Sequence, residues 1–205
     1  MSISIPGRVV VVDYGEVISR SPSGADTAAL LALAGVPAEQ FWEPYWAHRA
    51  DLDRGRIRVH EYWALLAREL GAQWSAARVQ ELWAADFRGW ISVEPGTVQI
   101  LADLHEGGTR LALLSNAGFD FGDPFRYSPM GAWFERVFVS AELDELKPEA
   151  SIYRVVAEGL GVELSQMVFV DNKPENVAGA EALGVTGHVF TTPAELRAFL
   201  TGLAD

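Results

Sequence analysis

The sequence predicts an α/β protein: a doubly wound parallel sheet into which a small helical unit is inserted. Three observations carry this. Val9-Val10-Val11-Val12 is a run of four β-branched residues closed by Asp13, and only a strand covered on both faces is apolar throughout. From about residue 93 onward, short apolar runs alternate with stretches of helical periodicity, the pattern of right-handed crossovers between parallel strands. Between the two, residues 26–88 carry apolar groups at helical spacing only. The core is therefore expected in residues 1–18 and 91–205, with the helical insertion at 19–90.

Taken in order, strand one spans 8–13 and a loop follows at 19–24. Helices are predicted at 26–34, 37–50, 59–70 and 75–88, separated by Gly35-Val36-Pro37, Asp53-Arg54-Gly55 and Gly71. This stretch holds five of the seven tryptophans: Trp42, Trp46, Trp63, Trp74 and Trp83. A small bundle with little area to bury fills its core with large side chains, which accounts for most of them; Trp42, Tyr45 and Trp46 are candidates to line a cleft. A helix at 95–107 then leads into a strand at 110–114 that ends on Ser115-Asn116. Residues 120–134 read as loop and short helix, and Arg136–Val139 as a short strand. Lys147-Pro148-Glu149 opens a helix at about 150–160, with proline near its first turn. A strand at 167–170 ends on Asp171-Asn172, followed by a helix at 174–183, a strand at 188–190 and a closing helix at 192–203.

Composition narrows the function. The 205 residues, 49% hydrophobic and 21% charged, suit one globular domain with a subordinate insertion. A net charge of −12 argues against nucleic-acid or anionic-membrane partners, which require clustered positive charge. It leaves an anionic substrate open, because a metal and one lysine reverse the potential locally. With no cysteine there is no disulfide, thiol catalysis or thiolate metal site. No apolar run approaches the ~18–20 residues of a membrane span, and the N-terminus lacks a signal-peptide pattern. The expectation is a cytoplasmic protein with a small-molecule substrate.

Three separated strands end in polar residues, Asp13, Ser115-Asn116 and Asp171-Asn172, and Lys147 stands at a helix start between the last two. In an open parallel sheet these ends share one edge, where ligands bind. Aspartate after a strand also caps turns, so one such residue says little; three with a lysine define a site. Facing carboxylates repel unless a cation lies between them. Oxygen ligands without cysteine favour Mg²⁺ over zinc. A serine hydroxyl, backbone N–H groups and a lysine suit phosphate oxygens, leaving Asp13 as nucleophile.

Four motifs occur in order: Asp13-Tyr14-Gly15-Glu16-Val17, Leu114-Ser115-Asn116, Lys147-Pro148, and Val170-Asp171-Asn172 followed by Asn176-Val177 and Gly179-Ala180. Together they resemble the haloacid dehalogenase (HAD) superfamily over essentially the whole chain, in the subgroup with a small helical cap after the first strand. Asp53-Arg54-Gly55-Arg56-Ile57 and Tyr62-Trp63 are similar to the cap segment of phosphatase-like members. The resemblance implies Mg²⁺-dependent hydrolysis of a small phosphate monoester through an aspartyl-phosphate. It makes Asp13 nucleophile and metal ligand, the Gly15 carbonyl a second ligand, and Asp171 and Asn172 the metal motif. Ser115 and Asn116 would face the phosphate, and Lys147 would neutralise both nucleophile and phosphate.

Two departures stand out. Gly15 occupies the position where phosphatases of the superfamily carry a second aspartate, the general acid and base; Glu16 is the nearest replacement carboxylate. Asn172 stands where a second consecutive acid is usual. Dehalogenases share both absences, so a 2-haloacid substrate is the alternative reading, as is a catalytically weak member that binds a partner through its cap. Arg54, Arg56 and Arg58 could guide an anion or form a solvated turn, and His48-Arg49 could be a carboxylate site or a solvated face. Substrate identity and oligomeric state are not legible.

Overall fold

The structure, a computed structural model, describes residues 2–204. Five strands, β1 (Val9–Val12), β2 (Arg110–Ser115), β3 (Arg136–Val139), β4 (Met167–Asp171) and β5 (Thr186–Val189), form one parallel sheet in the order β3-β2-β1-β4-β5. β1 is central, and Val9–Val12 are at most 1% exposed. The alternation of side chains across a strand divides them between two cores. Val10 and Val12 pack with Ile100, Leu101 and Leu104 of α6 (Pro95–Glu106) and with Leu196 and Leu200 of α11 (Pro193–Gly202). Val9 and Val11 face Ile152, Val156 and Leu160 of α9 (Ala150–Leu160) and Ala180 of α10 (Pro174–Glu181). The sheet is thus sandwiched between helices, as the apolar run of β1 requires. In the sheet β1 lies between β2 and β4: the chain runs from β1 outward through β2 and β3 on one side and returns to β4 and β5 on the other, which opens a crevice at the carboxyl ends of the strands.

Between β1 and α6 the chain forms five helices around a third core: α1 (Gly24–Ala34), α2 (Ala38–Ala47), α3 (Arg49–Asp53), α4 (Val59–Glu69) and α5 (Ala76–Trp90). Ser23 caps α1 in a reciprocal box with Asp26, and Gly35 ends it in the left-handed conformation with φ 66°. Tyr45, Tyr62 and Trp63 are almost wholly buried here, with Trp42, Trp74 and Trp83 packed against them. No helix among the described residues is long and apolar enough to cross a membrane.

Three elements depart from the sequence reading. The single helix expected at 37–50 is two, α2 and α3, changing direction at His48 (φ −100°, ψ 1°). Apolar spacing continues through the corner, so periodicity does not register it. The last strand begins at Thr186, two residues early, because Gly187 reads as a breaker. Its glycine serves packing instead: a Cβ there would stand 2.5 Å from Val177 Cγ1 of α10. The single-turn α7 (Gly122–Arg126) falls where loop and short helix were expected, whereas α8 (Ser140–Leu143), directly after β3, carries no sequence signal, being too short for a period.

Candidate active site

Strand ends supply the site. Asp13 follows β1 directly and stays in register, its N–H donating to Val170 O at 2.9 Å. Ser115 is the last residue of β2 and Asp171 the last of β4. Lys147, in the loop before α9, reaches into the same place because Asn116 clamps its backbone from both sides. The Asn116 amide donates to Lys147 O and accepts from Lys147 N–H, each at 3.0 Å.

The Lys147 ammonium is fully buried and uses every donor: Leu114 O at 3.1 Å, Asp171 Oδ2 at 2.7 Å and Asp13 Oδ1 at 2.8 Å. Burial pushes the Asp13 carboxyl up to about 7, with Lys147 drawing it down and Asp171 pushing it further up. Burial alone would lower the Lys147 pKa, but the two carboxylates outweigh it and raise the pKa, holding the ammonium charged. The triad carries one cation against two acids, so the site favours a further positive charge.

Asp171 faces inward. Its Oδ1 accepts from Lys173 N–H at 2.8 Å and Asn176 Nδ2 at 3.1 Å, and its Oδ2 from Asn176 Nδ2 at 3.0 Å as well as from Lys147. Asn172 is the residue that lines the cavity. Its Nδ2 donates to Glu16 Oε2 at 2.8 Å. With its Nδ2 turned to Glu16, the Asn172 amide oxygen points away from it. Glu16 Oε1 accepts from the Ser21 hydroxyl, so both of its oxygens are engaged. Glu16 also holds the left-handed conformation, φ 58°, which costs a residue with a Cβ about 1–2 kcal/mol.

The described residues contain no group of three or more His, Cys, Asp or Glu side chains able to hold a metal. What they offer is the Asp13 carboxylate, the Gly15 carbonyl and the Asn172 amide oxygen. That all-oxygen set fits Mg²⁺, with one formal charge among the protein ligands.

Above these groups lies a cavity of about 470 Å³. Asp13, Ser115, Asn116 and Lys147 form its floor; Tyr14, Trp90, Phe121 and Phe125 give aromatic walls; Trp46, Arg49, Ala50 and Asp53 of the inserted helices form the roof. Of the three aromatic residues singled out in the sequence, Trp46 alone lines it, half-exposed at 53%. Tyr45 and Trp42 belong to the helical core. The three arginines of 54–58 lie outside: Arg54 pairs with Glu149, Arg56 approaches Asp51 and Asp144, and Arg58 stacks on Phe119 at 3.7 Å. His48 pairs with Glu69 at 2.7 Å. Arg49 is nearly buried, bonding Tyr45 OH at 3.0 Å, Asp53 Oδ1 at 3.2 Å and Asp86 Oδ2 at 3.4 Å.

Sequence reasoning missed Asp53, Trp90, Phe121, Phe125 and Asn176 as site residues. Asp53 had a weak signal, the Asp-Arg-Gly break; for the aromatics there was none, since they read as ordinary helix and loop.

Set against known proteins, residues 9–184 match the family model of haloacid dehalogenase-like hydrolases. The sesquiterpene phosphatase astK of Aspergillus oryzae is 24% identical over 185 residues, 88% of each chain. Among solved structures, the HAD family enzyme bt-2542 of Bacteroides thetaiotaomicron, in complex with magnesium and inorganic phosphate, superposes with a TM-score of 0.75 at 19% identity, covering 90% of this chain and 94% of that one. A 2-haloacid dehalogenase of Pseudomonas syringae gives 0.66 at 20% identity, covering 88% and 84%.

Proposed function

We propose that this chain, which belongs to the haloacid dehalogenase-like hydrolases, hydrolyses a small phosphate monoester with Mg²⁺ through an aspartyl-phosphate. The observation that carries the reading is Lys147, fully buried between Asp13 and Asp171 on the floor of the cavity. An ammonium there neutralises a nucleophilic carboxylate and an incoming phosphate together.

In this reaction Asp13 attacks phosphorus in line, the bond to the leaving oxygen breaks, and water then hydrolyses the acyl phosphate to regenerate Asp13. Ser115 binds a phosphate oxygen at the end of β2. Asn116 acts beside it, holding the Lys147 backbone. Mg²⁺ would be held by Asp13, the Gly15 carbonyl and Asn172, with Asp171 behind them orienting Lys147, and would supply charge neutralisation at the phosphate. Residues 19–90 serve as a cap over the core of 1–18 and 91–205, excluding water and selecting the alcohol. Four aromatic walls and the half-exposed Trp46 suit an apolar leaving group, in keeping with the similarity to a sesquiterpene phosphatase.

The 2-haloacid reading requires a free cation for the substrate carboxylate. Arg49 lines the cavity but is balanced by Asp53 and Asp86, which leaves Lys173, also in the lining, as the cation such a substrate would have to use. The test is phosphate release from an aryl phosphate with and without Mg²⁺. Turnover is expected to require Mg²⁺ and to fall at least about 10³-fold in Asp13→Asn, as for loss of a covalent nucleophile. Halide release from 2-chloropropionate in chelator, without any phosphate release, would overturn the reading.

A further inference from the structure

We propose that Asp53, carried in by the inserted helices, is the proton donor to the leaving group and then the base for the attacking water, a role Gly15 has no side chain to fill. The inference rests on the phosphatase reading and adds a catalytic residue to it.

Space and position come first. A Cβ built on Gly15 would meet nothing within 4 Å, so no neighbouring side chain fills the place beside the nucleophile. Glu16 does not serve, because both its oxygens are taken by Asn172 and Ser21. Asp53 lines the same cavity as Asp13 and Ser115. Its Oδ1 accepts from Arg49, and among the described residues no donor is bonded to Oδ2. The backbone around it is fixed to the floor: the Ser140 hydroxyl donates to Asp53 O, while Ser140 Oγ accepts from Ala117 N–H at 2.9 Å, two residues beyond Ser115. The roof carboxyl is therefore keyed to the phosphate-binding strand end and does not float on a loose cap.

Its surroundings suit both halves of the task. Burial pushes the Asp53 carboxyl up to about 6, Arg49 on its own helix and Lys173 after β4 draw it down, and Asp120 beyond β2 pushes it up. Both protonation states are then populated near neutrality, which a group that first gives and then takes a proton requires. In the first step the Asp13–phosphorus bond forms, the phosphorus–oxygen bond of the ester breaks, and the leaving oxygen takes the Asp53 proton. In the second, Asp53 removes a proton from water as it attacks phosphorus, and the Asp13 carboxylate leaves. Asp86 provides the internal control. It bonds the same Arg49 and is likewise nearly buried, but Tyr45 OH covers it at 2.7 Å and it lies outside the cavity.

The experiment compares p-nitrophenyl phosphate, whose phenolate leaves without a proton, with n-octyl phosphate, whose alkoxide does not, using the full chain with saturating Mg²⁺. Asp53→Asn is expected to lower octyl phosphate turnover about 10²–10⁴-fold. With the aryl ester it should release one nitrophenolate per enzyme in a burst and then turn over slowly. Asp53→Glu, which keeps the carboxyl, should recover most of the loss, and Asp86→Asn should leave the ratio between the two substrates unchanged. An equal loss on both substrates without a burst, or no loss, overturns the assignment for a variant whose melting curve shows a folded protein. Wild-type protein that hydrolyses neither ester overturns the phosphatase reading itself.

Discussion

Asp53 shows how burial and charge combine at a single side chain. Its carboxyl is pushed from an ordinary 3.8 up to about 6, burial outweighing the pull of Arg49. A raised carboxyl pKa means the native state holds a proton that the unfolded chain has lost. Native stability therefore falls as pH rises from about 4 to 6, by up to roughly 3 kcal/mol if the shift acts in full. Asp53→Asn lacks that slope, so it should be more stable than the wild type at pH 8 and lose the advantage by pH 4. Thermal melts at the two pH values check this, and a pH-independent difference would sink it. The strand-end residues were legible because each interrupts an apolar run at the edge of a sheet. Asp53 and Arg49 were legible only in part, as a helix break and as one of two readings of His48-Arg49: a charged pair four apart on a helix has the same pattern whether it faces water or a cleft.

At the level of elements, α2 brings Trp46 and α3 brings Arg49 and Asp53 to the lining of the cavity, and Gly55 packs the chain just beyond α3 against Ala141 and Phe119. Gly55 has φ 81°, and a Cβ there would lie 2.4 Å from Ala141 O and 2.7 Å from the Phe119 ring. Two costs add in Gly55→Ala: left-handed backbone, about 1–2 kcal/mol, and a clash with a backbone carbonyl that has no rotamer to yield. Gly71, with φ 62° and nothing within 4 Å, isolates the first cost. Urea denaturation should find Gly71→Ala destabilised by about 1–2 kcal/mol with unchanged KM. Gly55→Ala should lose at least twice that and raise KM; equal effects at the two positions would show that the close approach does not hold the cap. The sequence marked Asp53-Arg54-Gly55 as a break between helices, and rightly so, but a break does not say which element it presses against. The same limit hid the start of β5, where Gly187 looks like an interruption and is a packing requirement.

For the molecule as a whole, architecture was the most legible property, because it follows from the order of apolar runs: a valine strand, a helical stretch, then alternating strands and helices can close into few arrangements. Long-range electrostatics follows from composition in the same direct way. The chain carries −12, whereas Lys147, the cation proposed to face a phosphate, is buried and already neutralised by Asp13 and Asp171. A phosphate dianion thus approaches against the net field and meets a favourable charge at contact range only. Raising ionic strength from 0.01 M to 0.15 M shortens the Debye length from about 30 Å to about 8 Å. Screening then removes the repulsion during approach while leaving the buried interactions intact. At saturating Mg²⁺, kcat/KM for the phosphate ester should rise a few-fold across that range, with kcat nearly constant. A fall would mean that local cations such as Lys173 and Arg49 steer the substrate despite the net charge, as in enzymes whose clefts focus a field of opposite sign.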